Sequence, residues 1–267
     1  MTATVVFSGT EMAETKIAAI RARLKGEITR CCVVRDAQSG PAAAYAVRLA
    51  GFAAAAGITV VEMGYDQLEA LLTEEAQSPV IFLQPAPPEV NVADWIARLG
   101  PLRDAEGLHP LNVGRCALGR GAILPPTAHA ALAVARQIAG PLLGKKVAIV
   151  GASLVVGQPL AVLMMQEGAT VRVAQHATLD LAAETRDADV VITAAGVPHL
   201  LGADHIRAGA VVIDVGVTRV GDDLLGDADH CALEGVAAVR THVPDGVGPV
   251  TAAYLFENIA NLQGSAP

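Results

Sequence analysis

Two glycines, Gly151 and Gly157, with Ser153 between them and Pro159 just beyond, follow the apolar run Val147–Val150. Such a β-branched run suits an interior parallel strand, and a glycine at its end lets the chain turn with backbone N–H groups exposed. Those donors, at the positive end of the helix that follows, suit the pyrophosphate of a dinucleotide. Gly151, Ala152, Ser153 and Gly157 are therefore the candidate cofactor contacts. The spacing departs from G-x-G-x-x-G, so a plain strand-to-helix turn is the competing reading. His176 follows the next expected strand, where an open α/β fold recognises a ribose. Metal chemistry finds no support. The seven histidines are dispersed, no two stand at i, i+4 beside a carboxylate, and the four cysteines form no C-x-x-C pair. Cys31, Cys32, Cys116 and Cys231 read as small buried apolar residues.

The elements that must position this turn alternate. Apolar residues recur at helical spacing over Ala13–Lys25, and Ile28–Val34 reads as a strand. An alanine-rich helix over Ala42–Ala56 ends at Gly57, and Ile58–Met63 reads as a second strand. Asp66–Glu75 is a further helix, Pro79–Gln84 a strand, and Pro85–Pro88 an extended loop at its end. Residues 103–115 show neither period and read as a long functional loop. After Pro125–Pro126 a helix spans Ala128–Ile138. Strands at Lys146–Val150, Thr170–Ala174, Val190–Ala194, Ala210–Val215 and Ala237–Arg240 then alternate with helices at Pro159–Glu167 and near Leu181. This pattern predicts an α/β fold with a doubly wound parallel sheet. A last amphipathic helix, Thr251–Leu262, is expected to pack back on the first lobe.

At 267 residues with 52% hydrophobic content, the chain has material for a large core in one or two lobes. Its net charge of −8 argues against nucleic acid or an anionic membrane surface as partner, since both demand basic patches. No leader-like start and no uncharged 18-residue apolar run is present, which reads as a cytoplasmic protein acting on a small molecule.

Taken together, the motifs resemble the methylenetetrahydrofolate dehydrogenase/cyclohydrolase family, the FolD type. The resemblance is carried by Gly151-Ala-Ser-x3-Gly157-x-Pro159, by Asp214-Val-Gly-Val-Thr-Arg219 with Gly226-Asp227, and by Val243-Pro-Asp-Gly-Val-Gly-Pro249-Val-Thr251. Arg103-Asp-Ala-Glu-Gly-Leu-His-Pro-x-Asn-Val-Gly-Arg115 and Tyr45 add weaker support. It implies a two-lobed homodimer: an N-terminal α/β folate-binding lobe, residues 1–121 with the helix 251–267 returning to it, and a Rossmann-like lobe, 122–250. It further implies a tetrahydrofolate derivative as substrate and NADP or NAD as cofactor. Tyr45, Gln84 and Glu106 become candidate catalytic residues. Tyr45 would wall the aminobenzoyl group, and Glu106 would accept N–H groups of the pterin. Pro244, Asp245, Gly246 and Gly248 join Tyr45 and Glu106 as substrate contacts, and Val217 would line the nicotinamide pocket. Without the resemblance, Tyr45 reads as a core tyrosine, Gln84 as a strand-end cap and Glu106 as a solvated loop charge.

The departures carry their own expectation. The family's lysine four residues after the tyrosine is Leu49 here, and the four lysines, Lys16, Lys25, Lys145 and Lys146, all lie elsewhere. Arg48 is one residue off, about 100° around a helix, and does not readily give up a proton. Hydride transfer asks mainly for positioning, whereas hydrolysis of the methenyl product needs a proton carrier. The expectation is a dehydrogenase with weak or lost cyclohydrolase activity, the alternative a non-catalytic folate- or nucleotide-binding paralogue. Asp245 and His129 are ionisable residues the family does not place in these segments. With Ala152 after the first glycine, NADP loses its usual cation there, and Arg172 is the remaining candidate.

Overall fold

Local chemistry explains why the elements start and stop where they do. Ser39 caps the second helix, its hydroxyl accepting the Ala42 amide at 3.3 Å, and Pro41 sits in the first turn. Gly57, left-handed at φ 78°, closes it. The computed structural model describes residues 3–26, 29–73, 78–221 and 223–263. Its first half runs β1 (Val5–Phe7), α1 (Thr10–Leu24), β2 (Thr29–Arg35), α2 (Gly40–Ala56), β3 (Ile58–Gly64), α3 (Leu68–Thr73), β4 (Val80–Phe82), α4 (Val92–Leu99) and α5 (Pro110–Ala117). Then come α6 (Pro126–Ala139), β5 (Lys146–Val150), α7 (Gly157–Gln166), β6 (Thr170–Ala174), α8 (Leu181–Thr185), β7 (Val190–Thr193) and β8 (Val211–Asp214). The hairpin β9 (Thr218–Val220) and β10 (Asp223–Leu225), β11 (Val239–Thr241) and α9 (Val247–Gln263) complete the chain. Ile28 and Glu75, expected ends of a strand and a helix, lie outside the described residues.

Contacts divide the chain into two units, one of residues 1–13 and 127–251, the other of 14–126 and 252–267. The first holds a six-stranded sheet in the order β1-β11-β8-β7-β5-β6, parallel throughout. Counted from β5, this is the doubly wound order 2-1-3-4-5, and the chain reverses direction between β5 and β7. Ile149, Val191, Ile192, Val212 and Ile213 are fully buried along it, each such side chain contributing about 1.5–3 kcal/mol. The second unit holds the parallel sheet β3-β2-β4. Its core gathers Cys32, Val34, Leu68, Leu71, Val80 and Ile96. Tyr65 stacks on Phe82 there and donates its hydroxyl to the Leu83 carbonyl at 2.9 Å.

Several expectations need correction. Residues 1–13, assigned from the sequence to the N-terminal lobe, belong to the six-stranded unit, because β1 pairs with β11. Residues 103–115 are not all loop: α5 starts at Pro110, with His109 as its N-cap through Nδ1. The last helix begins at Val247 and is buried almost all round rather than amphipathic. Its polar residues are matched inside the three-stranded unit, Asn258 donating to the Ala105 and Leu124 carbonyls and Glu257 pairing with Lys16. Cys231 is exposed, while the other three cysteines are buried.

Candidate functional site

In the six-stranded unit a cleft of about 570 Å³ opens at the C-terminal ends of β5, β6 and β7, beside the chain reversal. Open α/β sheets bind ligands at this place. One rim is Gly151–Ser153 and the other includes Ala194, Ala195 and Val197. Gly151 has φ 115°, and a Cβ there would overlap the Ala194 carbonyl. A Cβ on Gly157 would overlap the Gly151 carbonyl in turn. Both positions demand glycine because backbone touches backbone. Ser153 organises the turn, its hydroxyl accepting the Val156 amide at 3.1 Å and its carbonyl the Gln158 amide at 3.0 Å. No side chain caps α7, but within its first turn the Gln158 and Leu160 amides are met by the Ser153 and Val156 carbonyls and Pro159 carries none, so the turn at Gly151–Ser153, more than the helix start, faces the cleft.

Among the described residues, His176 is the one ionisable side chain that borders this cleft. Arg172 is committed elsewhere. It grips Asp187 with two nitrogens, at 2.5 and 3.0 Å, and Lys146 reaches the same carboxylate at 2.9 Å. These bonds, those from Arg172 first and then that from Lys146, hold the Asp187 carboxyl well below the usual range. Val217, half-exposed at 51%, does not border the cleft.

Behind the second rim lies an arrangement the sequence reading did not resolve. Asp214, at the end of β8, and Asp227, after the hairpin, are both buried. Asp214 accepts the Thr193 hydroxyl at 3.0 Å and the amides of Asp227 and Ala228 at 3.1 and 3.0 Å. Asp227 accepts three consecutive amides, Ala195 at 2.6 Å, Gly196 at 3.1 Å and Val197 at 2.8 Å. The neighbouring glycines interlock with these carboxylates, since a Cβ on Gly216 would overlap that of Asp227 and one on Gly226 that of Asp214. Burial raises the Asp227 pKa, the amide bonds oppose it, and Asp214 adds to the rise.

The three-stranded unit holds a different kind of site. α2 turns Ala42, Ala46, Leu49, Ala53 and Ala56 inward and leaves Tyr45 39% exposed. Leu49, one turn on from Tyr45, is only 1% exposed. Glu106 is half-buried rather than solvated, and one carboxylate oxygen accepts the Phe82 amide at 3.0 Å. Burial pushes its pKa up to about 7 against the pull of that amide, and Asp104 adds to the rise. The hydroxyl of Tyr45 is likewise held up by burial and then by Glu106, with Arg48 opposing. The loop is braced from below by Asp104, which accepts the amides of Glu106 and His109 and the Asn112 side chain. Gln84 is exposed after β4, its side-chain oxygen accepting the Ala86 amide.

The segment leading into α9 belongs to the six-stranded unit. Pro244 follows a cis peptide bond, and Asp245 is exposed with its carbonyl accepting the Gly9 amide at 2.8 Å. A Cβ at Gly246 would overlap the His242 carbonyl, whereas Gly248 faces open space. His129 is half-buried on α6.

A sequence model described as the NAD(P)-binding domain of tetrahydrofolate dehydrogenase/cyclohydrolase matches residues 125–265. The bifunctional protein FolD of Parafrankia sp. (strain EAN1pec) is 42% identical over 203 residues, 74% of each chain. The chain belongs to the tetrahydrofolate dehydrogenase/cyclohydrolase family. Bifunctional protein FolD 1 of Saccharopolyspora erythraea extends the family match to 96% of this chain and 93% of its own, at 38% identity. The crystal structure of Trypanosoma brucei N5,N10-methylenetetrahydrofolate dehydrogenase-cyclohydrolase, complexed with NADP cofactor and inhibitor, covers all of both chains with a TM-score of 0.91 at 30% identity. In family terms the six-stranded unit is the NAD(P)-binding part. It brings Gly151, Ala152, Ser153 and His176 to one cleft, with Gly157 packed behind. Tyr45 and Glu106 fall in the other unit, apart in the chain from Pro244–Gly248.

Proposed function

We propose that this chain oxidises 5,10-methylenetetrahydrofolate to 5,10-methenyltetrahydrofolate with NAD or NADP, and that hydrolysis of the methenyl product is weak or lost. The dinucleotide supplies the hydride acceptor. The substrate's bridging CH2 loses a hydride, and the lone pair of the adjoining folate nitrogen stabilises the cation left behind, so the protein's task is placement. Gly151, Ala152 and Ser153, with Gly157 packed behind them, would hold the pyrophosphate, His176 would meet the ribose end, and Val217, outside that cleft, would serve the nicotinamide end. Tyr45 supports the aminobenzoyl ring, and Glu106 receives the pterin N–H groups when ionised. Gln84 and the segment Pro244, Asp245, Gly246 and Gly248 complete the folate contacts.

Leu49 carries the second half of the proposal. At 1% exposure it fills the core where proton delivery to water would need an ionisable group. The test mixes purified protein with methylenetetrahydrofolate and either dinucleotide, and follows reduced cofactor by absorbance. Methenyl hydrolysis is then followed with no cofactor present. Reduction without matching hydrolysis is the expected pattern, and comparable rates for both would overturn it. The same Leu49 favours one other reading, a paralogue that binds folate or a nucleotide without turnover, which no reduction with either dinucleotide would support. A homodimer in the cytoplasm belongs to the proposal and is checked by sedimentation and fractionation; among the described residues no helix is long and apolar enough to cross a membrane.

A further inference from the structure

We propose that Asp227 is a positioning residue for the dinucleotide: its carboxylate fixes the rim formed by Ala195, Gly196 and Val197, and so sets the width of the cofactor cleft. The inference rests on the reading of that cleft as the dinucleotide site. Three successive amides aimed at one point satisfy neither a helix nor a strand, and such a concave group of donors needs an anion to hold it. Asp227 supplies that anion from about thirty residues further along the chain, with bonds of 2.6, 3.1 and 2.8 Å.

The carboxylate is itself held in place. The Asp227 amide donates to Asp214, whose other oxygen takes the Ala228 amide, and Gly216 leaves the space that the Asp227 carboxylate occupies. On its far side the rim is tied once more, Thr218 donating its hydroxyl to the Gly196 carbonyl at 3.2 Å. The opposite rim is in close register with this one, because a Cβ on Gly151 would overlap the Ala194 carbonyl and crowd the Ala195 amide. A shift at residues 195–197 therefore changes the gap between the rims.

Asp227→Asn keeps the shape but turns an NH2 donor toward one or more of the three amides. Gly216→Ala keeps the charge but pushes the carboxylate off its seat. Thr218→Val loosens the rim from the less buried side. The full chain and each variant are titrated with NADH and with NADPH by fluorescence, melted thermally, and assayed for kcat and for both KM values. Asp227→Asn and Gly216→Ala are expected to raise the cofactor Kd and KM about tenfold or more, with folate KM nearly unchanged. Thr218→Val is expected to raise them about two- to fivefold with an unchanged melting temperature. Wild-type cofactor affinity in folded variants, or folate KM rising in step with cofactor KM, would overturn the inference. If Asp227→Asn does not fold, unchanged cofactor affinity in Thr218→Val overturns it alone. Unmodified protein that binds neither reduced dinucleotide would instead sink the functional reading beneath it.

Discussion

The two units answer to different constraints. In the six-stranded unit the residue types around the cleft are dictated by overlap, since Gly151, Gly157, Gly216 and Gly226 each leave space that another backbone or carboxylate fills. In the three-stranded unit Tyr45 is partly exposed, Gln84 is exposed, and Leu49 sits in a core slot that accepts an apolar side chain. A chemical group there can be exchanged without collapsing its surroundings. Steric necessity thus fixes the residue types on the cofactor side, while Tyr45, Gln84 and Leu49 in the other unit are under no such backbone constraint.

The sharpest way to break this contrast is Gly151→Ala. With φ 115° and a Cβ meeting backbone, the variant is expected to lose cofactor affinity by about 100-fold or more and to melt well below the parent. Near-normal titration with NADH would show that the cleft is less constrained than its geometry says.

Glu106→Gln comes next, with about a ten- to 100-fold fall in kcat/KM for folate expected, because one ionised acceptor is lost. The pH dependence sharpens the point. A carboxyl at about 7 in the folded chain, against an ordinary 4.5, holds a proton that the unfolded chain has released. Stability therefore falls as pH rises from about 4.5 to about 7 and levels off above. Glu106→Gln should flatten that decline in denaturant titrations. Folate binding has the opposite sign, because pterin N–H donors need the ionised carboxylate, so folate KM in the unmodified protein is expected to fall as pH rises through about 7. A folate KM independent of pH from 6 to 8 would remove Glu106 from the binding site.

Leu49→Lys tests whether the exchange can be reversed. A cation in a slot 1% exposed is expected to cost about 2–4 kcal/mol by denaturant titration and to raise methenyl hydrolysis above the parent rate. Hydrolysis at background in a folded variant would mean that Asp245 or Glu106 also limits that step. The smallest effect is expected at Gly248, which faces open space. Gly248→Ala should stay within about 0.5 kcal/mol in stability, in contrast to Gly246 two residues before it.

Much of this was legible because the longer elements advertise themselves. β5, β6 and α2 carry their period or their punctuation openly, and Gly57 ends α2 as its position predicts. β1, β9 and β10 are three residues each, too short to show alternation. α5 escaped because its cap is a histidine and its eight residues span barely two turns. At the site, Gly151, Ala152, Ser153 and His176 were readable from a local turn and a strand end. The roles of Asp214 and Asp227 were not, although the pairing of each aspartate with a nearby glycine, in Asp214-x-Gly216 and Gly226-Asp227, was the visible trace. Their partners come from other strands, and a carboxylate serving distant amides leaves no spacing of its own. Glu106 reads as a surface charge because nothing in residues 103–115 reveals that Asp104 accepts its amide and that the Phe82 amide at the end of β4 meets its carboxylate.

The first strand has a consequence for how the molecule is made. Thr4 bonds to Glu234, 230 positions on, and Val5 to Phe7 find their partners only at Val239 to Thr241. During translation this apolar segment has left the ribosome long before its neighbour exists, so the outer edge of the cofactor sheet closes late and by a very long loop. Until then the nascent chain carries an unpaired strand, and a chaperone that shields residues 4–7 would act early in biogenesis, when the cell most needs the segment kept from pairing with a stranger.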